Sequence, residues 1–448
     1  MKIILISPTW KLQVKEKRMK RGKVFKFPQI SLLAVAAVTP PEVEIELIDE
    51  NVEEINFNKD ADLVGITSMT ATAPRAYEIA DRFREKGIPV VLGGMHASAL
   101  PEEAIQHADA VVIGEAELTW PRLIEDFKRG GKETLQPFYR DGQRVDLSQI
   151  CPPRRSLLKK NKYITTRVLQ VSRGCPFDCS FCSVSKFFGK RYRFRPVKDV
   201  VAEIKSLVGK SLYSRFIGFL DDNIMGNVKY AKELFRALIP YKLVWVGQAS
   251  INVAQDLELL GLAAQSGCKA LFVGFESISP SSLREADKPQ NKISFYKKAI
   301  ERFHRFGIFL EGAFIFGFDN DDKSIFEKTV NFIKKVKLDV VQFGILTPFP
   351  GTRLFSKLSS EGRIVDHDWS NYDIANVVFK PKLMTPQELK EGFTWAYQHV
   401  YSFPGIFRRL SGVISGRRWR FLGPVLTVNL AYRRIFKGAE RAKDPAKE

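Results

Sequence analysis

Three cysteines fall within one short stretch, Cys175-Pro-Phe-Asp-Cys179-Ser-Phe-Cys182, with the spacing C-x3-C-x2-C. Three thiolates on one loop can each bind one iron of a cubane cluster. The fourth iron then lacks a protein ligand and is open to another molecule, whereas ordinary four-thiolate clusters need a fourth cysteine. Structural zinc also takes four ligands and would usually bring a second Cys or His pair. Neither Cys151 nor Cys268 has such a partner nearby in sequence. The spacing therefore points to an iron–sulfur site with an open coordination position. Five cysteines in 448 residues exclude a disulfide scaffold, and their clustering points to a reducing, cytoplasmic setting.

The cysteines need elements to hold them, and the chain supplies a βα rhythm on both sides. In residues 1–130 the apolar runs are Ile3–Ser7, Val43–Ile48, Leu63–Thr67, Val90–Gly93 and Ala110–Gly114. Helical patterns fall between them at about 28–38, 74–86, 101–107 and 117–129. Continuous apolar runs separated by helices predict a parallel sheet covered on both faces, here a Rossmann-like domain over residues 1–135. Its ligand belongs at the carboxyl ends of the strands. The loops there are Pro8-Thr9-Trp10, Thr67-Ser68-Met69-Thr70, Gly93-Gly94-Met95-His96 and Gly114-Glu115-Ala116-Glu117. Residues 136–164 lose the rhythm and read as a linker.

From about 165 the alternation resumes. The expected strands are Val168–Ser172, Phe216–Leu220, Val244–Gln248, Ala270–Gly274, Leu310–Phe316 and Val340–Thr347, with helices at about 197–208, 228–238, 254–266, 292–306 and 323–336. Six βα units predict a partial (β/α)6 barrel over residues 165–360, whose working residues sit at strand carboxyl ends. The polar candidates fall there: the three cysteines, Asp221-Asp222-Asn223, Gln248, Ser250, Glu276 and Gly317. Residues 361–448 read as a basic, mostly helical extension.

A cysteine cluster of this spacing, with an aromatic before its last cysteine and a place after the first strand of a six-unit barrel, resembles the signature of radical S-adenosylmethionine enzymes. The resemblance implies that the open iron chelates the methionine part of S-adenosylmethionine (SAM). One electron then cleaves the sulfonium, and the resulting 5′-deoxyadenosyl radical abstracts hydrogen from substrate. It places Phe181 beside adenine, Asp221, Asp222 and Asn223 near the methionine ammonium, and Gln248, Ser250 and Glu276 on ribose and methionine. The stretch Gly312-Ala-Phe-Ile-Phe-Gly317 resembles the family's adenine-flanking strand.

A Rossmann-like domain ahead of such a barrel resembles the cobalamin-binding branch of that family. The phrases Asp62–Thr70, Val91–His96, Val112–Glu117, Trp369–Asp373 and Val377–Lys382 carry the likeness along the chain. The loops at Ser68 and Thr70 and at Gly93 and Gly94 resemble those that hold the nucleotide tail of cobalamin. The D-x-H-x-x-G motif, whose histidine ligates cobalt, is absent, and the loop after the first strand reads Pro8-Thr9-Trp10 instead. Some members of the branch bind cobalamin without a protein axial ligand, and others keep the domain without the cofactor. His96 lies where it could touch a corrin edge or cap local backbone.

The resemblance implies a 4Fe–4S cluster, SAM and cobalamin as cofactors. It also implies methyl transfer to an unactivated carbon of a hydrophobic small molecule or lipid, and an electron donor such as flavodoxin or ferredoxin. Non-methylating radical chemistry on the same scaffold is the alternative. If methyl transfer holds, the barrel mouth must face the strand ends of the first domain, with Trp10, Phe177 and the Pro348–Gly351 loop lining the gap.

Charge bears on partners. Seventy Lys and Arg against 50 Asp and Glu give a net charge of +20, which favours anionic partners. Residues 11–26 hold eight Lys/Arg and one Glu, and the chain's end mixes arginines with Trp419, Phe421, Leu422, Leu426, Leu430, Tyr432 and Phe436. Cations beside apolar groups suit an anionic membrane face, on the inner side of the membrane. No apolar run approaches the roughly 18 residues of a membrane span. RNA modification fits less well. Residues 1–150 lack the second cysteine set of the methylthiolating enzymes, and the chain's end does not read as an RNA-binding β-barrel.

Overall fold

The computed structural model describes residues 1–10, 27–211, 213–415, 419 and 422–441. The basic stretch Lys11–Lys26 and residues Arg417, Arg418, Arg420 and Phe421 lie outside them. Two six-stranded parallel sheets carry the architecture.

The first sheet contains β1 (Lys2–Ser7), β2 (Glu44–Asp49), β3 (Leu63–Thr67), β4 (Val90–Gly93), β5 (Ala110–Ile113) and β6 (Phe138–Arg140), in the order β2-β1-β3-β4-β5-β6. β1 shows why such a strand has no polar face. Ile3 and Leu5 pack under the helices Ile30–Ala37 and Thr119–Gly130, and Ile4 and Ile6 pack under Ala73–Arg84. The strand order reverses between β1 and β3, and that switch point is where a doubly wound sheet opens a crevice for a ligand. Five strands match the expectation. The sixth, β6, lies in the stretch read as linker, and its three residues were too few to show a period.

The second sheet is the open barrel. It contains β7 (Val168–Leu169), β10 (Phe216–Phe219), β11 (Val244–Ala249), β12 (Cys268–Glu276), β13 (Phe309–Phe316) and β14 (Val340–Ile345), each parallel to the next. The expected first strand, Val168–Ser172, is broken. β7 ends at Leu169, and Ser172–Arg173 forms β8, which pairs antiparallel with β9 (Arg193–Phe194). The cause is Asp221, whose carboxylate takes the amides of Val171 and Ser172.

An open barrel leaves an edge, and the extension closes it. On β14, Tyr397 Oη accepts from Phe343 N at 2.9 Å and donates to Phe343 O at 2.9 Å. Tyr401 Oη does the same at Val341, accepting from its N at 3.1 Å and donating to its O. Both tyrosines come from the helix Pro386–Val400 and its C-cap, whose start is a reciprocal Thr385–Glu388 capping box. The helices Phe403–Ser415 and Leu422–Arg441 follow. No described helix is long and apolar enough to cross a membrane.

Candidate functional site between facing strand ends

The carboxyl ends of the two sheets face each other. Ser183, next to the last cysteine, lies 3.8 Å from Met95 Sδ in the loop after β4. A Cβ on Gly351, after β14, would stand 3.5 Å from Ala99 Cβ. Trp10 donates to Ser370 O at 3.3 Å, and Trp369 Nε1 donates to Glu103 at 3.0 and 3.1 Å.

The three cysteines sit in this gap on one loop, each part-buried. Gly174 opens the loop at φ +87, and a Cβ there would come within 2.2 Å of Arg191 O, so only glycine fits. Cys175 N then donates to Gly189 O at 3.2 Å. Ser180 N donates to Ala286 O at 3.1 Å, and Leu354 N to Ser180 O at 2.9 Å, which ties the loop to two other elements. Burial raises all three thiols, Cys179 to about 11 and Cys182 to about 12. Such thiols ionise only beside a strong cation, which irons supply. Among the described residues no group of three His, Cys, Asp or Glu side chains surrounds a single ion. A cubane does not ask for that, since each thiolate takes its own iron. The loop fits a three-cysteine cluster. Cys151 is exposed elsewhere, and Cys268 is buried at the start of β12.

The adjacent aspartates have different surroundings. Asp221 is fully buried, and its Oδ1 accepts from Ser172 N and Ser172 Oγ, both at 2.6 Å, and from Val171 N at 3.0 Å. Asp222 accepts from no other residue's donor among the described residues. Burial lifts it to about 6, and it lies in the electrostatic reach of Cys175 and Cys182. Asn223 Nδ2 donates to Ser250 Oγ at 3.0 Å and to Tyr192 Oη at 3.2 Å, and Tyr192 in turn hydrogen-bonds the Cys175 sulfur. Gln248 is exposed.

Glu276 ends β12 at φ +61, beside a register shift at Gly274. The bulge aims its carboxylate at Lys288, with which it ion-pairs. Asn291 Nδ2 holds the bulge through the carbonyls of Gly274 and Phe275, both at 2.9 Å. Burial works against the Lys288 charge, but Glu276 and Cys179 hold its pKa above the ordinary lysine value. Phe181 meets Phe318 edge-on, with centroids 6.5 Å apart. Gly317 (φ +105) and Phe318 donate their amides to Asp321, both at 3.1 Å.

On the other sheet, Thr9 N donates to Glu50 at 2.9 Å, and Glu50 is in a buried pair with Arg75. Ser68 and Thr70 are buried, and Met69 between them is exposed. Gly93 ends β4. A Cβ on Gly94 (φ +93) would stand 2.7 Å from Ser68 O, so this backbone lies against the neighbouring loop. His96 is wholly buried, with Nε2 3.2 Å from Glu103, which also binds Tyr77 and Trp369. The Glu103 contact fixes the ring through Nε2 and leaves its Nδ1 uncommitted. Ser7 Oγ and His96 Nδ1, at the ends of β1 and just beyond β4, are buried without partners. Polar atoms left unsatisfied at these strand ends fit a large polar ligand such as cobalamin.

Two arginines absent from the sequence-based site, Arg173 and Arg193, bind the halves together. Arg173 Nη1 is 2.7 Å from Glu115 and its Nη2 is 2.5 Å from Glu117, and Arg193 Nη2 is 2.9 Å from Glu115. The loop 114–117, expected to face a ligand, is instead a clamp on the strand that leads into the cysteines. Tyr192 and Lys288 were also missed. They come from a strand-flanking loop and a helix-flanking loop with no period of their own.

Comparison with known proteins agrees with this geometry. Residues 169–333 match the family model described as radical SAM superfamily, 25–124 that of the B12 binding domain, and 352–427 a domain of unknown function, DUF4070. The chain is 32% identical over 393 residues to bacteriochlorophyllide d C-12(1)-methyltransferase of Chlorobaculum tepidum, covering 86% of this chain and 84% of that protein. It is 33% identical over 395 residues to bacteriochlorophyllide d C-8(2)-methyltransferase of the same organism, covering 85% and 87%. The solved structure of the radical SAM methyltransferase TsrM from Kitasatospora setae, with cobalamin and a 4Fe–4S cluster bound, superposes with a TM-score of 0.61 at 18% identity, covering 88% of this chain and 85% of that one.

Proposed function

Because the chain belongs to the radical SAM enzymes that carry a B12-binding domain, we propose that it methylates an unactivated carbon of a hydrophobic small molecule or lipid. Its cofactors are a 4Fe–4S cluster, SAM and cobalamin. The observation that carries the reading is the apposition of the two strand-end surfaces at Met95 and Ser183, with the cysteine loop on one side and the β1/β3 crevice on the other. When bound, the cluster supplies the electron that cleaves SAM, and cobalamin supplies the methyl group.

The chain's own residues bind, orient and exclude water. Cys175, Cys179 and Cys182 hold three irons. Asp222, a buried carboxylate short of a cation, receives the ammonium of SAM. Asp221 holds the turn before the cysteine loop rather than the ligand. Asn223, Gln248, Ser250 and Glu276 line the ribose and methionine side, and Phe181 and Gly317 the adenine side. Ser68, Thr70, Gly93 and Gly94 cradle the cobalamin tail, with Thr9, Trp10 and His96 as the wall behind it. We read residues 1–140 as the cobalamin-binding domain, since β6 completes its sheet, 141–164 as linker, 165–360 as the barrel and 361–448 as the extension. A one-electron donor such as flavodoxin or ferredoxin, in a reducing cytoplasm, completes the system.

The test is metal content after anaerobic reconstitution with iron, sulfide and hydroxocobalamin, then desalting. Near-stoichiometric cobalt beside about four irons is expected. Iron without cobalt removes methyl transfer and leaves non-methylating radical chemistry. Zinc in place of iron overturns the reading. Cys179→Ala should lose both iron and SAM cleavage.

A further inference from the structure

The helix Phe403–Ser415 is apolar through a wider arc than the barrel covers. Ile406, Leu410 and Val413 are buried. Phe403, Phe407 and Ile414 are exposed, Phe407 to 66%. At 100° per residue these three lie within an arc of about 40°, beside the buried face. The neighbouring helix Leu422–Arg441 adds exposed Ile435. It also sets the Arg433 guanidinium over the Phe403 ring, 4.1 Å from its centroid.

On these two helices the charge is nearly all of one sign. Arg408 and Arg434 are exposed beside it. The helix Phe403–Ser415 contains no Asp or Glu, and Leu422–Arg441 contains only Glu440. A lone arginine next to a buried one would be unremarkable, and Arg409 is that case, bonded to Val400 O and Asn429 and turned inward. Arg408 and Arg434 are instead exposed near an uncovered apolar stripe, and half-buried Arg433 lies over Phe403 while donating to Tyr401 O at 2.8 Å.

We propose that this face docks the enzyme on an anionic membrane surface, with the apolar stripe in the headgroup–acyl boundary and the arginines on lipid phosphates. A second copy is a poor occupant. A two-fold dimer through this face would set Arg408, Arg433 and Arg434 against their own equivalents with no facing acid. The position in the fold agrees with an anchor. Lys337 packs where a Cβ on Gly412 would stand, at 2.9 Å, and Asn429 donates to Asp339 O at 3.2 Å. Both contacts precede β14, at the amino-terminal end of the barrel and away from the cysteine loop. The docked enzyme keeps its mouth free. The inference stands independently of methyl transfer, because vesicle binding is read without turnover.

The experiment is co-sedimentation of the full chain with phosphatidylcholine vesicles, with and without phosphatidylglycerol, across a salt series. Binding only to the phosphatidylglycerol vesicles, weakened by salt, is expected. The triple variant Phe403→Ser/Phe407→Ser/Ile414→Ser should lower the partition coefficient about tenfold or more while keeping iron loading and SAM cleavage. Should that variant misfold, brominated lipid should quench wild-type tryptophan fluorescence, and Trp419→Phe should remove most of that quenching. No binding at low salt, equal binding to neutral vesicles, or a dimer in light scattering that the triple variant abolishes would each overturn the proposal.

Discussion

Arg173 Nη1 lies 2.7 Å from Glu115 Oε1, joining the residue two before Cys175 to the loop after β5 of the other sheet. Both side chains are nearly buried, at 9% and 4% exposure, and Arg193 shares the same carboxylate. The cysteine loop is thereby referenced to the first sheet as well as to its own barrel. Such a tie, with the contacts at Met95, Trp10 and Trp369, would hold a cluster on one sheet and cobalamin on the other at a fixed separation.

Glu115→Leu leaves the buried Arg173 and the half-buried Arg193 guanidiniums without their shared carboxylate. Breaking a buried pair from one side costs about 3–5 kcal/mol. Denaturant titration of the variant should show a loss of that size, with lower iron retention after reconstitution. A change below about 1 kcal/mol would mean the cluster of charges is solvated and the tie unimportant.

Asp221 and Asp222 should separate in experiment. Asp222→Asn removes the carboxylate proposed to receive the SAM ammonium. A charge-assisted bond of that kind is worth about 1.5–3 kcal/mol, so SAM affinity should fall about 10- to 100-fold with iron content unchanged. Asp221→Ala should do the reverse, losing stability and iron because Val171 N, Ser172 N and Ser172 Oγ lose their acceptor. Equilibrium dialysis and iron analysis of the two variants decide it. Matching losses in both would refute the division of labour.

Tyr397 and Tyr401 each serve both backbone groups of a β14 residue. Tyr→Phe at either position strands a buried N–H and C=O, at about 1–3 kcal/mol per position. Thermal or urea unfolding of the single variants measures it. Wild-type stability in both would show that the edge finds other partners.

Asp321 gives a pH dependence. It is buried, and burial outweighs its bonds from Ser282, Gly317 and Phe318 to lift it to about 6 from 3.8. An acid raised by folding stabilises the fold fully below its unfolded value, and the stabilisation fades as pH rises through about 6. Between about pH 4 and about pH 7 this group should remove about 2–3 kcal/mol from the wild type. Asp321→Asn should flatten that part of the stability profile, and parallel profiles would count against the assignment.

The legible and illegible parts of this chain divide along sequence distance. The apolar run of β1 announces a parallel strand because both its faces are buried, while Leu310–Phe316 is betrayed by its alternation of buried and half-buried positions. The C-x3-C-x2-C spacing announces its chemistry because all its members lie on one loop. Glu115 and Arg173 share no local pattern, and their pairing exists only once two sheets are apposed. The same holds for Lys288 beside Glu276, and for the choice between Asp221 and Asp222, whose directions depend on where β7 stops. β6 escaped because three residues cannot show alternation.

Glu276 sits at φ +61, a region where side-chain-bearing residues other than asparagine and aspartate are uncommon and cost roughly 1–2 kcal/mol. Glycine would relieve that backbone and would be the easy drift for a lineage, but glycine carries no acid. Valine and isoleucine are shut out by their branching. The glutamate is therefore held between backbone comfort and its pairing with Lys288, and if the proposed site is right its identity across descendants becomes a readable record. A glutamate kept against the backbone's preference marks a mouth still in use, and a glycine there would mark one that has retired.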